Sequence, residues 1–89
     1  MSDRYQGPVR ILDELGVLLT VGTADLSYDP ELDHWSGNLE VVAGSGVAGK
    51  GLVVQIEADG RRGRAQLKPV DNREPYAHSQ VIGLGPKPF

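Results

Sequence analysis

The side chains best suited to acid–base chemistry lie close together in the middle of the chain. His34, one of only two histidines, follows the carboxylates of Asp29 and Asp33 and precedes the hydroxyl of Ser36. Neighbours along a strand point to opposite faces, so His34 shares its face with Ser36 and not with Asp33. A triad is therefore not predicted, and no catalytic residue is expected. An enzyme that uses His34 with either aspartate as acid and base is the least favoured alternative.

A glycine-rich segment, residues 44–51, matches two phosphate-binding patterns by letter. Its sequence GSGVAGKG contains G-x-G-x-x-G and nearly completes G-x-x-x-x-G-K-[ST]. Gly51 stands where the second pattern needs a hydroxyl for Mg²⁺, and a β-rich run from Leu52 replaces the helix that both patterns need. We interpret the segment as a flexible hairpin loop between two strands. An anion held by its backbone amides is the alternative.

The acidic turn at residues 29–33 resembles a calcium-binding loop only in part. Carboxylates recur at Asp29, Glu31 and Asp33, as oxygen ligands do in such loops. However, His34 occupies the position that needs glycine, and the residues after it resemble a strand instead of a helix. We predict a solvated Asp-Pro turn without metal, and no cofactor is expected.

A basic strand face is formed by Arg61, Arg62, Arg64 and Lys68. We interpret it as a solvated outer face that could meet an acidic partner. Nucleic acid is not predicted, because the net charge is −3, the pI is about 5.2, and no aromatic residues interleave with these arginines.

The element predicted most clearly is a hairpin over residues 52–68. Two extended runs flank Asp59-Gly60, the pair preferred in a two-residue type I′ turn. This turn sets the register and gives one apolar face and one charged face. The predicted pairs are Leu52 with Leu67, Val54 with Ala65, Gln55 with Arg64, Ile56 with Gly63, Glu57 with Arg62, and Ala58 with Arg61.

Further strands are predicted at residues 9–12, 17–23, 34–43 and 76–83. In the third of these, Trp35 and the alternate residues after it should face the core, with Gly37 making room for the indole. A helix over residues 10–19 is the alternative, but Gly16 interrupts it. The predicted fold is all-β: an antiparallel meander of five to six short strands forming a small barrel or half-barrel, as a single domain of residues 1–89. Its interior should be filled by side chains, namely Trp35, Leu39, Val41, Leu52, Val54, Ile56 and Leu67.

Composition sets the remaining limits. The chain has 89 residues, 39% of them hydrophobic, and no cysteine, so neither disulfides nor thiolate metal sites are expected. It shows no signal-peptide pattern and no apolar run of membrane-spanning length, which predicts a cytoplasmic protein that does not insert into membranes.

Three short motifs resemble a small actinobacterial domain family of unknown function, found alone or attached to the C-terminal side of flavin-dependent monooxygenases. The motifs are YQGP at residues 5–8, DP leading to HWSG at residues 29–37, and GLGPKPF at residues 83–89. The resemblance implies a mostly-β accessory domain without an assigned active site. The family pattern carries Asp-Gly-Arg before His-Trp, whereas residues 30–33 here are Pro-Glu-Leu-Asp.

The predicted function is a non-catalytic accessory or protein-interaction domain, possibly associated with an oxidoreductase. The alternative is a small-molecule-binding mini-barrel whose mouth lies between the turn at residues 29–33 and the glycine-rich loop. If the sheet is not fully closed, residues 9–12 and 76–82 are expected to form its free edges, which favours a two-fold homodimer or a tight complex with a protein partner. The candidate binding or interface residues are His34, Trp35, Asp29, Asp33, Arg62 and Arg64.

Overall fold

A computed structural model describes residues 3–89. These residues form six strands and no helix, which confirms the all-β prediction and excludes the helix considered for residues 10–19. The strands are β1 (Arg4–Leu12), β2 (Leu18–Asp29), β3 (His34–Val42), β4 (Val53–Ala58), β5 (Arg61–Arg73) and β6 (Tyr76–Gly83).

The six strands close into a barrel in the order β1-β2-β3-β6-β5-β4, with every neighbouring pair antiparallel. Each half of the chain is a three-stranded meander, as predicted. The halves join where β3 pairs with β6 and β1 pairs with β4, instead of continuing from β3 to β4. The barrel is uneven, because β1 and β4 pair over only Arg10 to Leu12.

The sheet closes, so the free edges expected of an open sheet at the first and last strands do not form there. β1 pairs with β2 and β4, and β6 pairs with β3 and β5. Closure thus gives β6 a neighbour along both sides, whereas the side of β1 that faces β4 is paired only from Arg10 to Leu12.

The predicted hairpin is confirmed in its register. The pairs from Val54 with Ala65 to Ala58 with Arg61 all occur, and Asp59 and Gly60 both have positive φ, of 52° and 79°, as a type I′ turn requires. Leu52 lies just before β4, where its carbonyl accepts a hydrogen bond from the amide of Leu67 at 2.8 Å.

The barrel interior is filled with side chains, as predicted. The indole of Trp35 is 1% exposed, and the predicted face of β3 is confirmed; only Leu52 among the predicted core residues is partly exposed. The largest fully buried hydrophobic side chains beside Trp35 are Ile11, Leu26, Leu39, Ile56, Leu67, Val41, Val47, Val54 and Val81.

Room for the indole is made by two glycines other than the predicted one. A Cβ at Gly83 would overlap the indole, and a Cβ at Gly63 would stand 3.0 Å from it and 2.7 Å from Pro88. A Cβ at Gly37 would instead overlap the backbone of Asp25 on β2. Gly37 therefore permits close approach of two strands, and the expected role beside Trp35 is corrected.

The glycine-rich segment connects two strands that do not pair, so its interpretation as a hairpin loop is wrong. It crosses from β3 to β4 as a series of turns, and Val47 within it is fully buried. A strand follows it, as predicted, where a phosphate-binding loop would need a helix.

The connections divide between the two ends of the barrel. Residues 29–33, the Asp59-Gly60 turn and the C-terminal tail lie at one end, which we call the tail end. The glycine-rich crossover and the turn between β5 and β6 lie at the other, since Ala43 donates to the carbonyl of Pro75. The mouth predicted between residues 29–33 and the glycine-rich loop is therefore wrong.

Candidate functional site

A groove at the tail end encloses a volume of about 970 Å³. One wall is the turn between β2 and β3, and the other is the start of the C-terminal tail. We call it the tail groove; it is lined by Asp3, Tyr28, Pro30, Asp33, His34, Gly83, Leu84, Gly85, Pro86 and Lys87.

The turn wall is held by its own side chains. The carboxylate of Asp29 accepts a hydrogen bond from the amide of Glu31 at 3.0 Å, which closes a local turn. Asp33 has a positive φ of 47°, a conformation that aspartate tolerates better than most residues. Its carboxylate accepts a 2.6 Å hydrogen bond from the hydroxyl of Tyr28, which raises the pKa of Tyr28 above its ordinary value.

The tail wall is fastened to the barrel through β3. The indole Nε1 of Trp35 donates to the carbonyl of Gly85 at 2.8 Å, and Nε2 of His34 donates to the carbonyl of Gly83 at 3.1 Å. Pro88 is fully buried, and the ring of Phe89 meets Trp35 edge-on at 6.3 Å between centroids. Phe89 therefore packs against the tail end of the core beside the buried Pro88.

An ammonium group sits inside the groove on an aromatic surface. The Nζ of Lys87 lies 4.7 Å from the ring centroid of Tyr28 and 5.3 Å from that of Phe89. A carboxylate oxygen of Asp3 is 3.8 Å away. The cation thus has two aromatic neighbours and a counter-charge within the range in which cation–π attraction operates.

The structure brings three of the six predicted site residues to this region at the surface. His34 and Asp33 line the groove, and Asp29 shapes the turn beside it. Trp35 lies behind the groove wall as a core residue, so its indole is not a surface contact.

The two predicted arginines lie outside the tail groove and pair with acids of this chain. Arg62 contacts Glu57 at 3.1 Å, and Arg64 contacts Glu14 at 2.8 Å. These pairs are exposed, so each contributes little to stability.

One cluster was missed by the sequence analysis. Across the outer faces of β3, β6 and β5, His78 lies between two carboxylates: its Nδ1 is 2.8 Å from Asp71 and its Nε2 is 2.9 Å from Glu40. Both hydrogen bonds raise the pKa of His78, with Asp71 the larger cause, and the pKa of Asp71 is lowered by His78.

A bulge explains why this cluster could not be read from the sequence. The register between β5 and β6 shifts between Pro69 and Asp71, leaving Val70 unpaired and placing Asp71 opposite His78. Because each ring nitrogen lies within hydrogen-bond distance of a carboxylate, the imidazole links β3, β5 and β6. We call His78, Asp71 and Glu40 together the His78 clamp. Within residues 3–89 no cluster of three or more acidic, His or Cys side chains is arranged to hold a metal ion.

Comparison with known proteins identifies no related family, no similar curated protein and no similar solved structure. The part of the chain from residue 3 to 89 also contains no helix long and apolar enough to cross a membrane.

Proposed function

We propose that this protein is a binding domain without chemistry of its own, and that it recognises a protein partner through the tail groove. The observation that carries the proposal is the groove itself: an open depression of about 970 Å³ on the outside of a barrel whose interior is filled by side chains. Binding therefore takes place on the outside of the barrel.

The composition of the groove supports a protein ligand. Its walls offer apolar surface at Pro30, Leu84 and Pro86, the side-chain groups of Asp33 and His34, and main chain of the tail. An apolar patch with a few oriented polar groups is the usual make-up of a recognition site. The turn and the tail are each held by hydrogen bonds, so the site is formed before the partner arrives, which lowers the ordering cost of binding.

The partner we propose is an oxidoreductase, either a separate chain or one to which this domain is attached. The support is the resemblance of residues 5–8, 29–37 and 83–89 to a domain family found with flavin-dependent monooxygenases. Two of those motifs build the tail groove: residues 29–37 supply the turn wall, and residues 83–89 supply the tail wall.

A photo-crosslinking residue at Leu84 tests this proposal. Leu84 lines the groove and is 44% exposed, while Leu15, at the opposite end of the barrel, is 90% exposed and serves as the matched control. We expect one protein to be crosslinked in cells from position 84 and not from position 15.

The captured protein is then identified by mass spectrometry, purified, and titrated with the parent and with a Leu84→Asp variant. We expect the variant to bind about tenfold or more weakly, because it introduces a charge into an apolar contact. Equal crosslinking from both positions, or equal affinity of both proteins, would contradict the use of the groove.

The volume of the groove favours a small molecule as the second candidate. About 970 Å³ lies at the upper end of the range for small-molecule sites. In this case, amide resonances of Leu84 and Gly85 should shift in the presence of individual metabolites, and the Leu84 crosslink to a protein should be absent.

A further inference from the structure

We propose that Lys87 occupies a binding site, the lysine seat, that can also take a lysine side chain of the partner. When the partner binds in the tail groove, its lysine displaces Lys87 from this site. The proposal rests on the proposed function, because the seat lies in the tail groove. We define the lysine seat as the ring faces of Tyr28 and Phe89 together with the carboxylate of Asp3.

The geometry shows that the seat accepts a primary ammonium group. Nζ of Lys87 stands within 6 Å of two aromatic ring centroids, at 4.7 and 5.3 Å, which is the distance at which a ring face attracts a cation. The carboxylate of Asp3, at 3.8 Å, supplies the counter-charge. A second lysine placed there would meet the same rings and the same acid.

The charge of the surroundings favours a basic partner over an acidic one. Asp3 and Asp33 line the groove, and the adjoining turn adds Asp29 and Glu31, while Lys87 is the one lysine or arginine in the lining. Exchange of Lys87 for a partner's lysine keeps a cation beside the carboxylate of Asp3, while the ammonium group of Lys87 moves into water.

The tether explains why an isolated lysine would compete poorly with Lys87. Lys87 lies four residues after Gly83, the last residue of β6. Between them, the carbonyl of Gly85 accepts a hydrogen bond from the indole of Trp35. A group on so short a tether is present at an effective concentration of about millimolar or higher. A partner must therefore add contacts along the groove, which makes the exchange selective for a lysine within a matching segment.

Replacement of Lys87 by a small residue should expose the lysine seat. Replacement by an uncharged residue of similar length provides the control. Lys87→Ala leaves the seat vacant, whereas Lys87→Met also removes the charge but keeps an apolar stem that fills it. The probe is the tripeptide acetyl-Ala-Lys-Ala-amide, with norleucine in place of lysine as its neutral counterpart. Binding is followed by amide shifts in ¹⁵N-labelled protein.

We expect Lys87→Ala to bind the lysine tripeptide about tenfold or more tightly than the parent or Lys87→Met does. The norleucine tripeptide should bind Lys87→Ala about threefold or more weakly than the lysine tripeptide. In the Lys87→Ala background, Tyr28→Leu should weaken the binding more than Tyr28→Phe does, because both variants lose the hydroxyl bond to Asp33 but only Tyr28→Leu loses the aromatic ring. Equal binding to Lys87→Ala and Lys87→Met, or no preference for lysine over norleucine, overturns the proposal.

The tail itself must stay in place for this comparison. The fluorescence of Trp35, which contacts Gly85 and Phe89, reports its release as a red shift. If Lys87→Ala releases the tail, the parent is titrated with the tripeptide instead. The chemical shift of the ε-methylene protons of Lys87, which the aromatic rings displace in the parent, should then move towards the value of a lysine in water. Absence of that movement at tens of millimolar peptide overturns the proposal.

The two proposals can fail separately. If the tripeptide binds but no protein is crosslinked from Leu84, the proposed protein partner is contradicted and the lysine seat is supported. If a protein is crosslinked but the tripeptide does not bind, the lysine seat is contradicted and the protein partner is supported.

Discussion

Trp35 connects the core of the barrel to the wall of the tail groove. Its ring is buried, its Nε1 donates to Gly85, and Phe89 packs against its edge. A single side chain thus serves both the stability of the fold and the position of the tail.

Replacement of Trp35 by alanine should lower the free energy of unfolding by about 3–5 kcal/mol, because it removes a large buried ring and leaves a cavity. That is a large share of the total stability of a domain of this size. Thermal melting followed by circular dichroism measures the effect, with exposed Val42→Ala on the same strand as the control. Melting of Trp35→Ala within a few degrees of the parent would contradict the packing described.

At the same scale, the His78 clamp predicts a defined pH dependence. The pKa of His78 is raised in the fold, so its contribution to stability is complete below its unfolded pKa of about 6.5 and is lost as the pH rises through the raised value. The pKa of Asp71 is lowered from 3.8, so its contribution is present above that value and is lost as the pH falls through the lowered one. The clamp stabilises the barrel between these limits.

Substitution Asp71→Asn should therefore lower the pKa of His78, and Glu40→Gln should lower it by less, because Asp71 is the larger cause of the shift. The imidazole carbon protons, titrated by NMR, report the pKa directly. Asp59→Asn, at the tip of the hairpin, is the control and should leave it unchanged. An unchanged titration of His78 in Asp71→Asn would show that the clamp does not form.

At the scale of the elements, the end of β6 is fitted to the indole. A Cβ at Gly83 would overlap Nε1 and Cε2 of Trp35, whereas a Cβ at Gly85 would meet nothing within 4 Å. Alanine at Gly83 therefore tests the packing of the end of β6 against Trp35, and alanine at Gly85 serves as a control in the tail.

Gly83→Ala should destabilise the protein by about 1–3 kcal/mol through overpacking, and Gly85→Ala should change stability by less than about 0.5 kcal/mol. Urea unfolding followed by the fluorescence of Trp35 measures both. Similar midpoints for the two variants would mean that the indole does not lie against Gly83.

At the scale of the whole molecule, closure of the barrel changes the expectation for self-association. Each strand has a neighbour on both sides, so closure reduces the free edge that an open sheet would offer to a second copy. The side of β1 that faces β4 is still paired only from Arg10 to Leu12. The reason for expecting a homodimer through the first and last strands is thereby weakened.

We now expect a monomer of 9.6 kDa in light scattering coupled to size exclusion at micromolar concentration. Its mass should not change on tenfold dilution. A dimer that dissociates on dilution would contradict this expectation.

What the sequence by itself determined is local. The Asp59-Gly60 turn has one favoured geometry, and two-residue alternation then assigns each neighbour to a face, so the hairpin register and the buried side of β3 could be predicted. The same alternation gave the all-β class and the start of β6 at Tyr76. His34, Asp29 and Asp33 were found because they are close along the chain.

The tertiary structure decided everything that depends on distant segments. Pairing of β3 with β6 and of β1 with β4 joins residues far apart in sequence, and no local pattern encodes which strand becomes whose neighbour. The bulge at Val70 shifts the register and creates the His78 clamp. The lysine seat likewise depends on distant residues, because it joins the ring of Tyr28 to the ammonium group of Lys87. The two groups meet because His34 and Trp35 bind the tail carbonyls at the end of the barrel.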